Sequence, residues 1–407
     1  GDVYKRQSKW LSLILDWSKT MSDEMNPAEA KVSLWHNRMF IVICLASVVV
    51  AVGIFILLIN GYINKQYTEY EVLKETQRQD AGTERYINND DSLIKYSKDG
   101  ISGVDMEGKT LWTGSYEMSN PSVVIRGEYI LVADIGGKDA VIYNGKHEAT
   151  ELSVDYEIKQ ADVSKQGLAA LLLEDSSSDM INIYNPYDVS SKLLVKIPTN
   201  VDDGYPVCMA ISPDGTSVVA SYICVLNGTA ESRVVFYNFS DVGKNSDCIV
   251  GAKNYQKSLV TDVHFLSDDQ VVLFADSGFY IWKGMKQPKQ IVRKKVRKNI
   301  KSVFYNKSAI GLVLDTGSKK TPYHMDIYNT KGNKTSSFDF ANDYNDIQLD
   351  GNEILFYSAK ECGVFRLNGV LRFHASVEEG VDYFFRGNGR NHYYLFNDST
   401  IQEIKLK

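Results

Sequence analysis

An eight-bladed β-propeller behind one membrane-spanning helix is the fold class predicted for this 407-residue chain. Three observations predict it. Short β-branched and aromatic runs recur between Gly, Asn, Asp and Ser turns with a single period. One uncharged segment of bilayer length stands near the N-terminus. No helical periodicity follows that segment, so the rest of the chain reads as all-β. Composition agrees, with 44% hydrophobic and 24% charged residues, enough to bury a core and too balanced for disorder. The 25 Tyr favour strands. A net charge of −6 argues against a nucleic-acid partner. Five Cys without CxxC spacing exclude a disulfide mini-scaffold and a zinc ribbon.

Taken from the N-terminus, residues 1–7 (GDVYKRQ) read as a translated sequencing-adapter end, which points to a metagenomic, bacterial source. Residues 1–20 are therefore doubtful as native sequence, and Met21 or Met25 is the expected start. Residues 21–38 hold a helix start, with Asn26 as N-cap, Pro27 in the first turn and Glu29 three residues past the cap. Residues 39–59 carry no charge, and at a rise of roughly 1.5 Å per residue they span about 31 Å, a bilayer core. The run exceeds a signal-peptide apolar region, and no small-x-small cleavage site follows Ile59. Lys31 and Arg38 before the span against Lys65 after it favour a cytoplasmic N-terminus and an extracytoplasmic propeller. Residues 60–69 read as a linker and 70–407 as the propeller.

The repeat is an apolar strand, a polar turn and a strand ending in an aromatic followed by Asn or Gly. Its anchor positions are Val104, Tyr143, Tyr184, Tyr237, Trp282, Tyr328, Phe365 and Ile404. Their mean spacing of about 43 residues suits four-stranded propeller blades. Eight copies predict eight blades, with seven as the alternative, and closure favours eight. The last copy ends one outer strand short, and Tyr70–Thr76 (YEVLKET) is an alternating segment that can complete its blade as a clasp.

At this point the sequence resembles known families. GVDMEGKTLW at Gly103–Trp112 is similar to the repeat of quinoprotein-like propellers, and SPDGTSVVAS at Ser212–Ser221 to TolB-like and WD40-like units. The span followed by YEVL, YSKDGISGVDMEGKTLW, SYEMSNP and YILVADIGG resembles domain of unknown function family 5711. That resemblance implies a single-pass membrane protein with a quinoprotein- or WD40-like propeller, and it carries over no functional residues.

Signals for chemistry are few. A quinone-dependent dehydrogenase would need a calcium-linked quinone and, in many members, vicinal cysteines, which this chain lacks, so no cofactor is expected. His147, His264, His324, His374 and His392 fall in different repeats without HxH or HExxH spacing, so no metal site is expected. The Asp90-Asp91, Asp202-Asp203 and Asp268-Asp269 pairs read as turn formers rather than calcium ligands. The cysteines read as free thiols, with a Cys224–Cys248 bridge as the alternative.

One charge run stands out, with Arg293, Lys294, Lys295, Arg297 and Lys298 as candidate contacts to an anionic surface. The plainer account is an outer strand whose cations prevent edge-to-edge association. The functional expectation is a membrane-tethered, monomeric, non-enzymatic scaffold or sensor for a protein, peptide or envelope polymer. A hydrolase or lyase acting on extracellular glycans or peptides is the alternative, and a cytoplasmic assembly platform a third.

Overall fold

A computed structural model describes residues 27–407 apart from 79–81, 90, 176–177, 189–191, 200–203, 227 and 245–246. Residues 1–20 and the Asn26 cap lie outside the described residues. The chain divides into two compact units between Lys65 and Gln66.

The first unit holds one helix, Pro27–Ile63. Within it, the 22 residues Phe40–Gly61 are long and apolar enough to cross a membrane, and none is buried against protein. The helix outruns the expected end at Ile59 because Asn60 to Ile63 keep helical bonding. The Asn64 N–H donates to the Asn60 carbonyl at 2.9 Å, and the two side chains bond at 2.7 Å. The linker is correspondingly shorter. It is also not free, because the Tyr67 N–H donates to the Arg372 carbonyl at 2.7 Å and Tyr67 is buried.

The second unit is the propeller. Its strands form eight four-stranded antiparallel sheets. Seven are continuous in sequence, at 85–115, 121–153, 157–198, 205–255, 260–295, 300–340 and 346–376, and are blades 1 to 7. Blade 8 is composite. Tyr383–Arg386, His392–Phe396 and Thr400–Leu406 are joined by Tyr70–Gln77, which pairs antiparallel with the last strand from Tyr70↔Leu406 to Gln77↔Thr400. The expected clasp is present and the ring has no unpaired end.

All eight anchor residues occupy the third strand of their blades, on its terminal side. The reason is local. Where the anchor is followed by Asn or Asp, that side chain caps the turn by accepting backbone N–H groups. Asn144 Oδ1 accepts from Lys146 and Glu148 at 2.9 and 3.0 Å, Asn329 Oδ1 from Lys331 and Asn333 at 3.0 Å each. Asp105 Oδ1 does the same for Glu107 and Lys109. Beside the anchor the outer strand is bulged in every blade but the second, which adds local twist.

The hydrophobic core is divided into eight clusters, each shared by two neighbouring blades. The cluster that closes the ring joins Leu93 and Val104 of blade 1 to Phe396 and Ile401 of blade 8. Trp112, at the end of the GVDMEGKTLW segment, leaves blade 1 and stacks on His147 of blade 2 at 4.4 Å. Gly103 has no Cβ because the Trp112 indole lies over it.

Candidate functional site

The first strands of successive blades touch one another and line the ring's centre, while the fourth strands are the exposed perimeter. Several places among the described residues gather polar, charged or exposed apolar side chains.

At the centre, Arg126 of blade 2 lies 3.6 Å from Asp162 of blade 3 and its positive charge acts on the Tyr305 hydroxyl of blade 6, its opposite in an eight-membered ring. Across from them, the His264 ring stacks on Tyr305 at 4.2 Å and its Nε2 pairs with Asp262 at 2.7 Å. Burial pushes the Asp162 carboxyl above its usual range, and Arg126 and two backbone N–H groups pull against that shift. Those N–H groups matter. Val163 donates to Asp162 Oδ1 at 2.9 Å and Ile211 of blade 4 to Oδ2 at 3.1 Å. Gln160 adds a two-way bond to Met209 of blade 4, and Asn88 of blade 1 donates to Asp350 of blade 7 at 3.1 Å. With both Asp162 oxygens holding backbone, this carboxyl acts as a strut between blades rather than as a proton donor to a ligand.

Blade 6 carries a second cluster on the face toward blade 5. Its connectivity is that of a nucleophile, a base and an orienting acid: Ser337 Oγ is 3.1 Å from His324 Nε2, and His324 Nδ1 is 2.5 Å from Asp339. A fourth group changes its chemistry. Ser337 donates to Asp326 at 2.7 Å, and Asp326 also takes Lys334 at 2.7 Å, His324 at 3.2 Å and the Tyr328 hydroxyl at 3.2 Å. Burial raises the Asp326 pKa, but Lys334, Ser337 and His324 outweigh it and the carboxyl titrates below its usual range. The resulting carboxylate takes the Ser337 proton in place of His324. The arrangement neutralises charge and does not activate the serine.

The basic run maps to the rim of blade 5. Arg293, Lys294 and Lys295 lie on its fourth strand, Lys289–Lys295, and Arg297 and Lys298 in the turn that leads to blade 6. The pleat divides them. Lys294 points with buried Val292 toward blade 6, where its ammonium lies 6.0 Å from the Tyr328 ring, whereas Arg293 and Lys295 alternate to the other face. The strand thus gathers the cations at one edge without placing them on one surface.

Blade 4 supplies a feature that the motif reading missed. Its second and third strands, Ser217–Leu226 and Thr229–Asn238, are each 10 residues, the longest among the described residues. Tyr205 pairs with Ile223, so Tyr205, Ile223 and Val225 form one row on the side toward blade 5. Tyr205 is 64% and Val225 69% exposed. The signal was available as the longest copy of the repeat, TSVVASYICVLNGTAESRVVFYNFSD. On the opposite side, between the perimeters of blades 3 and 4, lies a cleft of about 460 Å³ floored by Tyr222 and Tyr237.

The remaining candidates resolve simply. His374 pairs with Glu361 and His392 with Glu403, each at 3.0 Å. Cys44, Cys208, Cys248 and Cys362 are free thiols, and burial pushes Cys208 and Cys362 up to about 12. Asp268-Asp269 is a hairpin turn whose Asp269 Oδ1 accepts the Met285 N–H, while Asp90 and Asp202-Asp203 lie outside the described residues.

No curated protein matches the chain. Among solved structures, BamB from Moraxella catarrhalis matches at 12% identity and a TM-score of 0.52, over 83% of this chain and 100% of that one. A eukaryotic initiation factor matches at 14% identity and a TM-score of 0.53, over 84% of this chain and 88% of that one. At such identities the likeness is one of fold alone. The sequence itself goes further, because the family model matching residues 63–406 covers the whole propeller, and the chain belongs to the family of unknown function DUF5711.

Proposed function

We propose that this protein is a single-pass membrane protein whose propeller is a non-enzymatic scaffold for a protein partner on the extracytoplasmic side. The observation that carries the reading is the row of Tyr205, Ile223 and Val225 on the long hairpin of blade 4, in which Tyr205 and Val225 are exposed and Ile223 is half-buried. Aromatic and aliphatic side chains held out on a rigid hairpin bury area with little ordering cost, which suits a docking surface. The struts at the ring's centre support the same reading, since they make the propeller a stiff platform. The apolar span Phe40–Gly61 supplies the tether, and Lys31 and Arg38 ahead of it support a cytoplasmic N-terminus.

A photo-crosslinking residue at Val225, used in native membranes, tests the proposal. A discrete adduct that disappears when Tyr205→Glu is added supports it. Equal crosslinking from Val225 and from the perimeter position Leu111 would remove the hairpin from the account.

A further inference from the structure

We infer that the cleft between the clasp strand and blade 1 is a binding site for a phosphate or phosphodiester group. The cleft holds about 480 Å³, and its lining includes Lys74, Arg78, Lys95, Lys109, Thr76 and the acid Glu107. Two of the four cations are neutralised within the protein. Lys74 pairs with Glu107, and Arg78 pairs with Asp382 at 2.5 Å while donating to the Asn397 carbonyl at 2.7 Å. Among the described residues no carboxylate pairs with the Lys95 or Lys109 ammonium. The nearby Asp105 is engaged in its own turn and Glu403 with His392. Lys95 and Lys109 are thus the two lining cations whose ammonium groups have no carboxylate paired to them, and these are the groups a phosphate oxygen would meet.

The repeat provides an internal control for Lys95. Its place is defined by register, two residues after the partner of the blade's anchor, since Leu93 pairs with Val104. The same place in blades 2 to 8 holds Val132, Leu171, Ala220, Leu273, Leu312, Phe356 and Leu395. All seven are apolar and 0% exposed. Only blade 1 has a cation there, half-buried on the wall of the cleft. A half-buried lysine stem is not something the fold requires, because seven blades satisfy the same geometry with a fully buried aliphatic or aromatic side chain. An anion in the cleft supplies the missing partner. Because the walls come from the N-terminal clasp and from blade 1, the bound anion also bridges the seam that closes the ring.

The site is independent of the blade 4 hairpin, so the two proposals fail separately. The test uses the full chain in non-ionic detergent, with thermal unfolding and calorimetric titration as readouts. The probes are sn-glycerol 3-phosphate and a short-chain phosphatidylglycerol in the micelle. Binding of both assigns the phosphate group itself, and binding of the lipid alone assigns a headgroup; either supports the site. At a hundredfold excess over Kd the expected rise in Tm is ~4 °C, and added salt should weaken it. Lys95→Leu copies the other seven blades, so it should fold with an equal or higher Tm and bind at least tenfold more weakly. Lys109→Met should weaken binding by a smaller factor. Failure of both probes to bind, or unchanged binding by Lys95→Leu, would overturn the inference.

Discussion

Arg78 offers the sharpest test of how the ring is held shut. It follows the clasp strand directly, its N–H donating to the Ser399 carbonyl at 2.8 Å, and its side chain is 3% exposed. The guanidinium reaches Asp382 and the Asn397 carbonyl of blade 8 and lies 5.5 Å from the Tyr86 ring of blade 1. One residue of the clasp therefore touches both sides of the seam. Arg78→Met keeps an apolar stem over Tyr86 and removes the charge. The charge-assisted bond contributes roughly 1.5–3 kcal/mol and the carbonyl bond about 1 kcal/mol. Asp382 is 35% exposed and rehydrates when abandoned, so the full penalty of a stranded buried charge does not apply. The expected loss is ~3 kcal/mol. Roughly 340 residues unfold with an entropy of about 0.7 kcal/mol per kelvin, so Tm should fall by ~4 °C. Pairing the variant with Asp382→Asn in a double-mutant cycle should give a coupling of about 1–2 kcal/mol. A Tm drop under 1 °C, or additive single effects, would refute the seam as the place where Arg78 acts.

Other outcomes follow from the same geometry. The full chain lacking residues before Tyr67 should yield a soluble monomer, and removing Tyr70–Gln77 as well should lower Tm by more than the Arg78 change and open an aggregating edge; equal melting of both truncations would exclude the clasp's role. Asp326 titrates below its unfolded value near 3.9, so its contribution is complete above about pH 4 and is lost as pH falls through the folded pKa. The Tm gap between wild type and Asp326→Asn should therefore shrink below pH 4, and a gap constant down to pH 3 would contradict the assignment. Reversing Arg293, Lys294, Lys295, Arg297 and Lys298 to Glu should leave solubility intact and change no binding to anionic vesicles, because the strand divides them between two faces. Salt-sensitive vesicle binding lost on reversal would show that the run is a contact surface.

Much of the fold was legible because the repeat is enforced locally. The aromatic-then-Asn ending of the third strand marks a turn closed by the Asn side chain, and a local rule survives in one sequence. The clasp was legible for a different reason, since a blade missing one strand demands a donor and Tyr70–Thr76 alternates as a strand should. The helix end was misplaced because apolar counting stops at Asn60, whereas backbone bonding continues through Ile63. Sites were far less legible. Arg126 and Tyr305 stand 179 positions apart in sequence and meet only because the ring sets blade 2 against blade 6. Likewise Ser337, His324 and Asp339 form a triad-like chain that Asp326 disarms, and only the register of the strand pair shows it. Lys95 was visible in the sequence as a Lys inside an apolar strand, but its oddity appears only when the eight strands are placed in register.

Closure also decides where the structure is weakest. Seven blades are built from strands consecutive in sequence, whereas blade 8 brings together residues such as Glu75 and Gln402, 327 positions apart. For a flexible chain that contact costs ~5 kcal/mol of loop-closure entropy, so it is expected to form last and open first. The composition of the seam fits that position. The clasp is mostly exposed along its length, and polar groups reinforce its apolar packing: Arg78 on Asp382, Lys74 on Glu107 and Lys407 on Glu71. Ahead of the clasp comes Tyr67, buried against Arg372 and hydrogen-bonded through its hydroxyl by Asn391 at 2.9 Å. Arg372 is itself fixed by Glu353 and the Tyr393 hydroxyl. A pull arriving along the chain from the helix therefore meets the Tyr67 lock on blades 7 and 8 before it reaches the first clasp residue, Tyr70. The lock separates the helix from the closure, so under the proposed tethering a load would reach blades 7 and 8 before the one seam that folding leaves polar.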